Sequence, residues 1–358
     1  MVYHRFIVRI MPWFLPIAAI LASCAGGNPA EAPPPPNLST TPADDTASTN
    51  SEQPIQLLPV AGPLRQPEAE ISGMAWYDDQ LILLPQYPIV VDPTGDGALL
   101  MLAKADIQAA IDGTNNQALQ PVPIALNAHR LTERVVGFEG FEAITIVDNV
   151  AFLTIEAFSN GITSSYLISG TINPDLMMLT LNTDHIVSLE TQSNIDNISN
   201  EAILSADDRI VTIYEVNGRG VNSSPVTREF NRDLELVGTM PFPPLEYRVT
   251  DATRVDRDNR FWVINYFFPG DTALLPERDP LVEVFGQGQT HALFDHVERL
   301  VELQYNKNGI TLTNTPPIQL VLEADARNWE GIVRFDEQGF LLVTDTFPET
   351  LLAFVSKP

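Results

Sequence analysis

The sequence predicts an all-β fold, a β-propeller of five blades with six as the alternative. Three observations carry this expectation. A hairpin-like segment recurs five times, helix signals are weak, and a strand-like run stands ahead of the first copy where it could close a ring. The folded part is expected over residues 56–358, behind a leader and a linker.

The leader comes first. Residues 1–23 hold Arg5 and Arg9, no acid, and an apolar run from Ile10 to Ala22. That run has the length of a secretory hydrophobic region and is short for a spanning helix. It ends Leu21-Ala22-Ser23-Cys24, and Cys24 is the one cysteine of the chain. The pattern resembles a bacterial lipoprotein signal, which implies cleavage before Cys24, lipid on its thiol and an extracytoplasmic place in the cell envelope. An ordinary signal peptide or an uncleaved anchor are the alternatives.

Residues 24–55 follow as linker. They are rich in Ala, Pro, Ser and Thr, include Pro33 to Pro36, and lack apolar periodicity. Such a segment cannot bury enough surface to fold and is expected to act as a disordered tether.

The repeat then begins. Its copies run from Ser72 to Gln86, Glu142 to Glu156, Glu201 to Glu215, Asp251 to Asn265 and Glu330 to Asp345. Each opens on a polar residue followed by Ala or Gly. Each carries an acid/Asn/Gly cluster about seven residues on, then a β-rich apolar run ending in a second polar residue. This reads as strand, tight turn, strand. The starts lie 70, 59, 50 and 79 residues apart. About 50 residues hold one four-stranded blade, and the two longer gaps leave room for a degenerate sixth. Arg299 to Tyr305, the turn Asn308-Gly309 and Ile310 to Thr313 are expected as outer strands. Ile55 to Val60 is the candidate closing strand. The best helix signal is Ala292 to Val301. Trp76, Trp262 and Trp329 are expected between blades.

Composition narrows the partners. The 358 residues carry 20 Lys and Arg against 46 Asp and Glu, a net charge of −26. Cleavage before Cys24 would remove Arg5 and Arg9 and take it to −28. A phosphate backbone needs a basic footprint, so nucleic acid is excluded as a partner. One cysteine excludes a disulfide framework and a cysteine-ligated metal.

The polar positions of the repeat are the candidate site. In a propeller the first strand of each blade lines the central tunnel. Ser72, Glu142, Glu201, Asp251 and Glu330 are therefore expected as one ring at one mouth. Gln86, Glu156, Glu215, Asn265 and Asp345 would form a second, wider ring on the same face. The residues two positions past the first ring, Met74, Ile144, Ile203, Thr253 and Ile332, would point further down the tunnel. Four carboxylates at one level of a narrow tunnel must take up protons or hold a cation. With oxygen donors alone, a hard cation follows, Ca²⁺ ahead of Mg²⁺. The alternative is a set of acids bonded to backbone N–H groups. Arg219 is the candidate cationic group at the mouth. His291 and His296, five apart, are expected as surface residues.

Ser-Gly at the first copy, Glu at the second, Glu-Ala at the third and Trp-Glu-Gly-Ile at the last resemble the calcium-activated nucleotidases (apyrases). The phytase-like and SdiA-regulated propellers share these short motifs. The resemblance implies five blades and one calcium in the tunnel, with Ser72, Glu142, Glu201 and Glu330 among its ligands. At the fourth blade it leads one to expect Ser where Asp251 stands. Two functions remain open: a monomeric, non-catalytic module binding a small molecule, glycan or envelope protein, or a metal-dependent phosphate-ester hydrolase with Glu156 or Glu215 as general base. A lactonase-like propeller is a third.

Overall fold

The computed structural model describes residues 51–345 and 349–358. The leader, Cys24 and the linker up to residue 50 lie outside the described residues. Among the described residues no helix is long and apolar enough to cross a membrane.

Five four-stranded antiparallel blades account for the sheets. Blade I is Ile71–Tyr77, Gln80–Pro85, Ala98–Ala103 and Val122–Asn127. Blade II is Phe138–Val147, Val150–Ser159, Ile162–Asn173 and Met178–Leu189. Blade III is Ala202–Ala206, Arg209–Ile213, Val226–Phe230 and Leu236–Pro241. Blade IV is Leu245–Ala252, Arg260–Phe267, Val297–Asn306 and Gly309–Leu312. Blade V takes Trp329–Phe335, Gly339–Thr344 and Leu352–Ser356 from the C-terminal end of the chain. Its outer strand, Gln56–Leu58, comes from the N-terminal side. That pairing closes the ring as the run before the first copy predicted. The innermost strands of the five blades neighbour one another in order, and the last meets the first.

All five predicted hairpins form. Their turns place Asp78, Asp148, Asp207, Asn259 and Asp336 at φ between 49° and 57°. Asp and Asn tolerate this left-handed region better than other side chains, which is why the acid/Asn cluster recurs. The apolar runs then pack blade against blade. Ile82 and Leu84 meet Ile144 and Leu153, while Phe152 meets Ile203 and Ile210. Leu204 and Val211 meet Val249 and Val263; Trp262 and Ile264 meet Trp329 and Leu342; Leu341 and Val343 meet Leu81 and Leu83. Each fully buried Leu or Phe contributes about 1.5–3 kcal/mol. The three tryptophans lie between blades as expected, and Trp76 Nε1 of blade I donates to Arg334 O of blade V at 2.7 Å.

The long gaps hold insertions, not a sixth blade. The helix Lys104–Ile111 fills part of the first; in the last, the helix Pro280–Phe285 lies between the second and third strands of blade IV and the strand Ile318–Gln319 follows its fourth. The helix expected over Ala292 to Val301 does not form; Val297–Asn306 is the third strand of blade IV, because its apolar residues pack with period two. Two other features were not foreseen. The outer strands of blades I and II pair in parallel, Ala125 to Asn127 against Met178 to Thr180, which fuses these blades into one eight-stranded sheet. Residues Glu52 and Gln53, assigned by composition to the linker, belong to the domain. Gln53 bridges Leu320, and Glu52 accepts from Thr290 N–H and His291 N–H.

Candidate functional site: an acidic cup at one mouth of the tunnel

The repeat position that opens each copy is a β-bulge. Ile71 pairs Pro85 and Gly73 pairs Leu84, so Ser72 is the extra residue. Glu142 and Glu330 are extra in the same way, between Phe141 and Ala143 and between Trp329 and Gly331. In blade III, Glu215 N–H donates to Ser199 O and Ala202 pairs Ile213, so Asn200 and Glu201 together face Tyr214. A bulge turns a side chain out of the regular alternation, here into the tunnel. The Ala or Gly that follows is required by the close approach of the innermost strands. A Cβ on Gly73 would lie 3.2 Å from Ala143 Cα, and one on Gly331 would lie 3.2 Å from Met74 Cγ and 3.4 Å from the Gly73 carbonyl carbon.

The result is a cup of about 450 Å³ at the mouth. Ser72, Glu142, Glu201 and Glu330 of the first predicted ring line it, as do Gln86, Glu156 and Asp345 of the second. Met74, Ile144, Ile203, Thr253 and Ile332, expected further down the tunnel, are each 2% exposed or less; Met74, Ile144, Ile203 and Ile332 pack against the preceding blade, and Thr253 Oγ1 accepts from Trp262 N–H of its own blade. Ser72 Oγ donates to Phe141 O at 2.6 Å, Gln86 Nε2 to Glu142 Oε1 at 3.2 Å and Asn328 Nδ2 to Asp345 Oδ2 at 2.8 Å.

Blade IV departs from the prediction. Val249 pairs Asn265 and Ala252 pairs Val263, so Thr250 and Asp251 share the bulge opposite Ile264. Thr250 Oγ1 donates to Trp329 O at 2.6 Å. Ser72 makes the same bond to Phe141 O, in both cases to the carbonyl just before the ring glutamate of the next blade. Thr250 is therefore the hydroxyl counterpart of Ser72. Asp251 does not line the cup. Its carboxylate accepts from Ala252 N–H at 2.8 Å and Ile332 N–H at 2.7 Å and ties blade IV to blade V.

Three further candidates fall elsewhere. Asn265 is buried and structural: its Nδ2 donates to Glu246 O and Arg248 O, and its Oδ1 accepts from Arg299 Nε. Glu215 is fully buried behind the cup, ion-paired with Arg248 and hydrogen-bonded to Glu201, while its Oε2 has no hydrogen-bond partner within the usual distance limits. Arg219 borders a separate surface hollow, and its N–H donates to Glu246 Oε1 at 3.3 Å.

The cation at the mouth is Arg248, which also holds Asp271 at 2.7 Å. Sequence reading missed it. Its signal was position: Arg248 stands two residues before Thr250, as Asn328 stands two before Glu330, and alternate residues share a face of a strand. Tyr87, Tyr266, Phe268 and Glu139 complete the mouth.

The charges are out of balance. Burial, then Glu156, pushes the Glu142 carboxyl up to about 8. Burial, then Glu215, raises Glu156 to about 7. Burial holds Glu201 and Glu330 well above the usual carboxylate range, with Glu215 the next cause for Glu201 and Asp345 for Glu330. Glu70, beside Asp345, is raised by burial to about 7. The donors are all oxygen, which fits a hard cation. Among the described residues, no three His, Cys, Asp or Glu side chains stand close enough to share one ion. Like charges without a counter-ion are expected to stand apart.

The histidines are not surface residues. His291 Nδ1 meets Glu52 Oε1 at 2.9 Å, and His296 Nε2 lies 3.7 Å from Glu298 Oε1, both rings 3% exposed. His291 belongs to the packing of blade IV against the N-terminal segment, and His296 stacks on Phe294 beside Glu298.

No family model and no curated protein matches the chain. Solved structures do. An exo-1,5-α-L-arabinanase from a bovine ruminal metagenomic library covers 80% of this chain and 92% of its own, at 10% identity and TM-score 0.43. A structure described with the GH130 mannoside phosphorylases and glycoside hydrolases covers 88% and 96%, at 9% identity and TM-score 0.45. Myxococcus xanthus glutaminyl cyclase covers 85% and 97%, at 8% identity and TM-score 0.43. Likeness at this level assigns none of these activities, and the description of the chain as a propeller rests on its own sheet order.

Proposed function

We propose that the protein is a lipid-anchored module of the bacterial cell envelope whose tunnel mouth holds a calcium ion and presents a ligand-binding surface. One observation carries the reading: glutamates from three blades, Glu142, Glu201 and Glu330, enter one cup that holds a single arginine. Ser72, Glu142, Glu201 and Glu330 would hold the ion, and Gln86 would position Glu142. The bound ion would supply positive charge where three carboxylates repel.

The test is a thermal melt of the full-length chain in chelator and in Ca²⁺. Calcium is expected to raise the midpoint, by about 2.7 kcal/mol of stability at a hundredfold excess over the dissociation constant. Coincident melts would remove the calcium reading. Anchoring is tested separately: Cys24→Ser should shift the protein out of the membrane fraction, and unchanged partitioning would place the anchor in the apolar leader.

A second reading has its own support. Glu142 and Glu156 are adjacent carboxyls whose affinities for the proton lie near neutral pH, as general acid–base chemistry requires. Glu156 stays a candidate base. Glu215 does not, because Arg248 neutralises it away from the cup. Turnover of nucleotides, phytate, aryl phosphates or lactones that requires Ca²⁺ and is lost in Glu156→Gln would establish a hydrolase.

A further inference from the structure

The strand segment Phe138-Glu139-Gly140-Phe141-Glu142 is a partition. Glu139 and Glu142 line the acidic cup, while Phe138 and Phe141 line an adjoining hollow of about 380 Å³ over blades I and II. Register shifts on both sides of Phe141 separate the acids from the aromatics along a single strand. The two rings pack edge to face, centroids 5.3 Å apart at 74°. Ile89, Leu126 and Leu131 supply other apolar walls, and Ile89 is 47% exposed. Both charged groups of the hollow are engaged: Arg130 pairs with Glu133 at 2.7 Å, and Asp96 accepts from Ala128 N–H at 2.8 Å. Tyr87 lines both cavities, so they adjoin.

The cup remains acidic even when an ion satisfies the three tunnel glutamates. The exposed Glu139, the half-buried Asp345 and the buried Glu156 also line it, and Arg248 is already shared between Glu215 and Asp271. Tyr87 and Phe268 add aromatic surface to the same mouth, and ring faces attract cations. One mouth thus favours a positive group, and the hollow beside it favours an apolar one.

We propose that the ligand is an organic cation with an apolar arm, an alkyl- or arylalkyl-ammonium, its head in the acidic mouth and its arm past Tyr87 in the hollow. The inference rests on reading the mouth as a ligand site and does not require the metal. Primary amines and quaternary ammonium ions share this chemistry; a clear preference for the amines would show that N–H donation to the carboxylates matters.

Calorimetric titration of the full-length chain in nanodiscs of uncharged lipid tests it, with empty nanodiscs as blank. The probes are short n-alkylamines and n-alkyltrimethylammonium ions below their micelle concentrations, in Ca²⁺ and in chelator, with n-alkyl phosphates of the same lengths as control. Affinity for the ammonium series is expected to rise about two- to fourfold per methylene, and the phosphates should bind more weakly at every length. Thr132→Trp, on the exposed rim of the hollow, should abolish the length dependence while tetramethylammonium binding and the calcium-dependent melt stay as in the parent. Glu139→Gln should weaken every ammonium probe about two- to fivefold. A flat length dependence, or phosphates binding as well as ammonium ions, overturns the proposal. Failure of every probe to bind also overturns it; if calcium still shifts the melt, the ion site survives, and if not, both readings fall.

Discussion

Arg248→Met is expected to destabilise the domain by about 3–5 kcal/mol. The cause is Glu215, which is fully buried and takes its ion pair from Arg248. Its second oxygen, Oε2, has no hydrogen-bond partner within the usual distance limits. Removing the guanidinium leaves a carboxylate that can neither reach water nor find another cation. Met keeps most of the apolar stem, so the loss reports on charge rather than volume. Glu215→Gln in the same chain should recover most of it, because the stranded charge is gone, and the coupling between the two sites is read by a double-mutant cycle. The deficit should also shrink at acid pH, where Glu215 can take up a proton. Asp271→Asn should cost far less, since that carboxylate is 24% exposed and water replaces its partner. Denaturant melts of five proteins decide the matter: the parent, the three single variants and the Arg248→Met, Glu215→Gln double variant. A single variant within about 1 kcal/mol of the parent would mean that Arg248 serves the ligand and not the fold.

The same region shows what the sequence could and could not reveal. Blade count, hairpins and ring closure were legible because each copy repeats a local rule: small residue after the bulge, Asp or Asn at the turn, period-two apolar runs. The position of a side chain within a bulge was not legible. Pattern alignment put Asp251 in the ring because it precedes an alanine, as Glu142 and Glu201 do. The bulge in blade IV instead gives the tunnel-side bond to Thr250 and turns Asp251 onto backbone N–H groups. Asn265 and Glu215 were misplaced for a related reason. The end of the second strand of a blade lies behind its own first strand wherever a further segment covers it, as Val216–Asn217 covers the edge of Leu245–Ala252. Arg248 was missed because reading began at the repeat position and looked forward. The Glu52–His291 contact joins residues 239 apart, and no local pattern announces such a pair.

The two kinds of buried acid in this ring predict opposite responses to amidation. Glu142 has its proton affinity raised from near 4.5 to about 8, and its Oε1 accepts from the Gln86 side chain. A carboxyl with a raised affinity stabilises the fold fully below the unfolded value, and that stability is lost as pH climbs toward the folded one. In chelator, the parent should therefore weaken between about pH 4.5 and 8, on the order of 2–4 kcal/mol coming from Glu142, with Glu156 adding to the slope up to about 7. Glu142→Gln should flatten that slope and melt above the parent at pH 8, yet match it at pH 5, where the parent carboxyl is already neutral. It should also lose much of the calcium response. Asp251→Asn should behave in reverse. Burial pushes its carboxyl well above the usual carboxylate range, against two backbone N–H groups that donate one to each oxygen; an amide can satisfy only one of them, so the variant should lose about 1–3 kcal/mol at pH 8 and keep its calcium response. The exposed turn acids Asp79 and Asp208 provide the baseline, since their neutralisation should change neither quantity. Thermal melts at pH 5 and pH 8, with and without calcium, separate these cases. A Glu142→Gln protein that melts below the parent at pH 8 in chelator would place Glu142 with Asp251, as a carboxyl the fold holds through hydrogen bonds to both oxygens, and the tunnel would then need no cation.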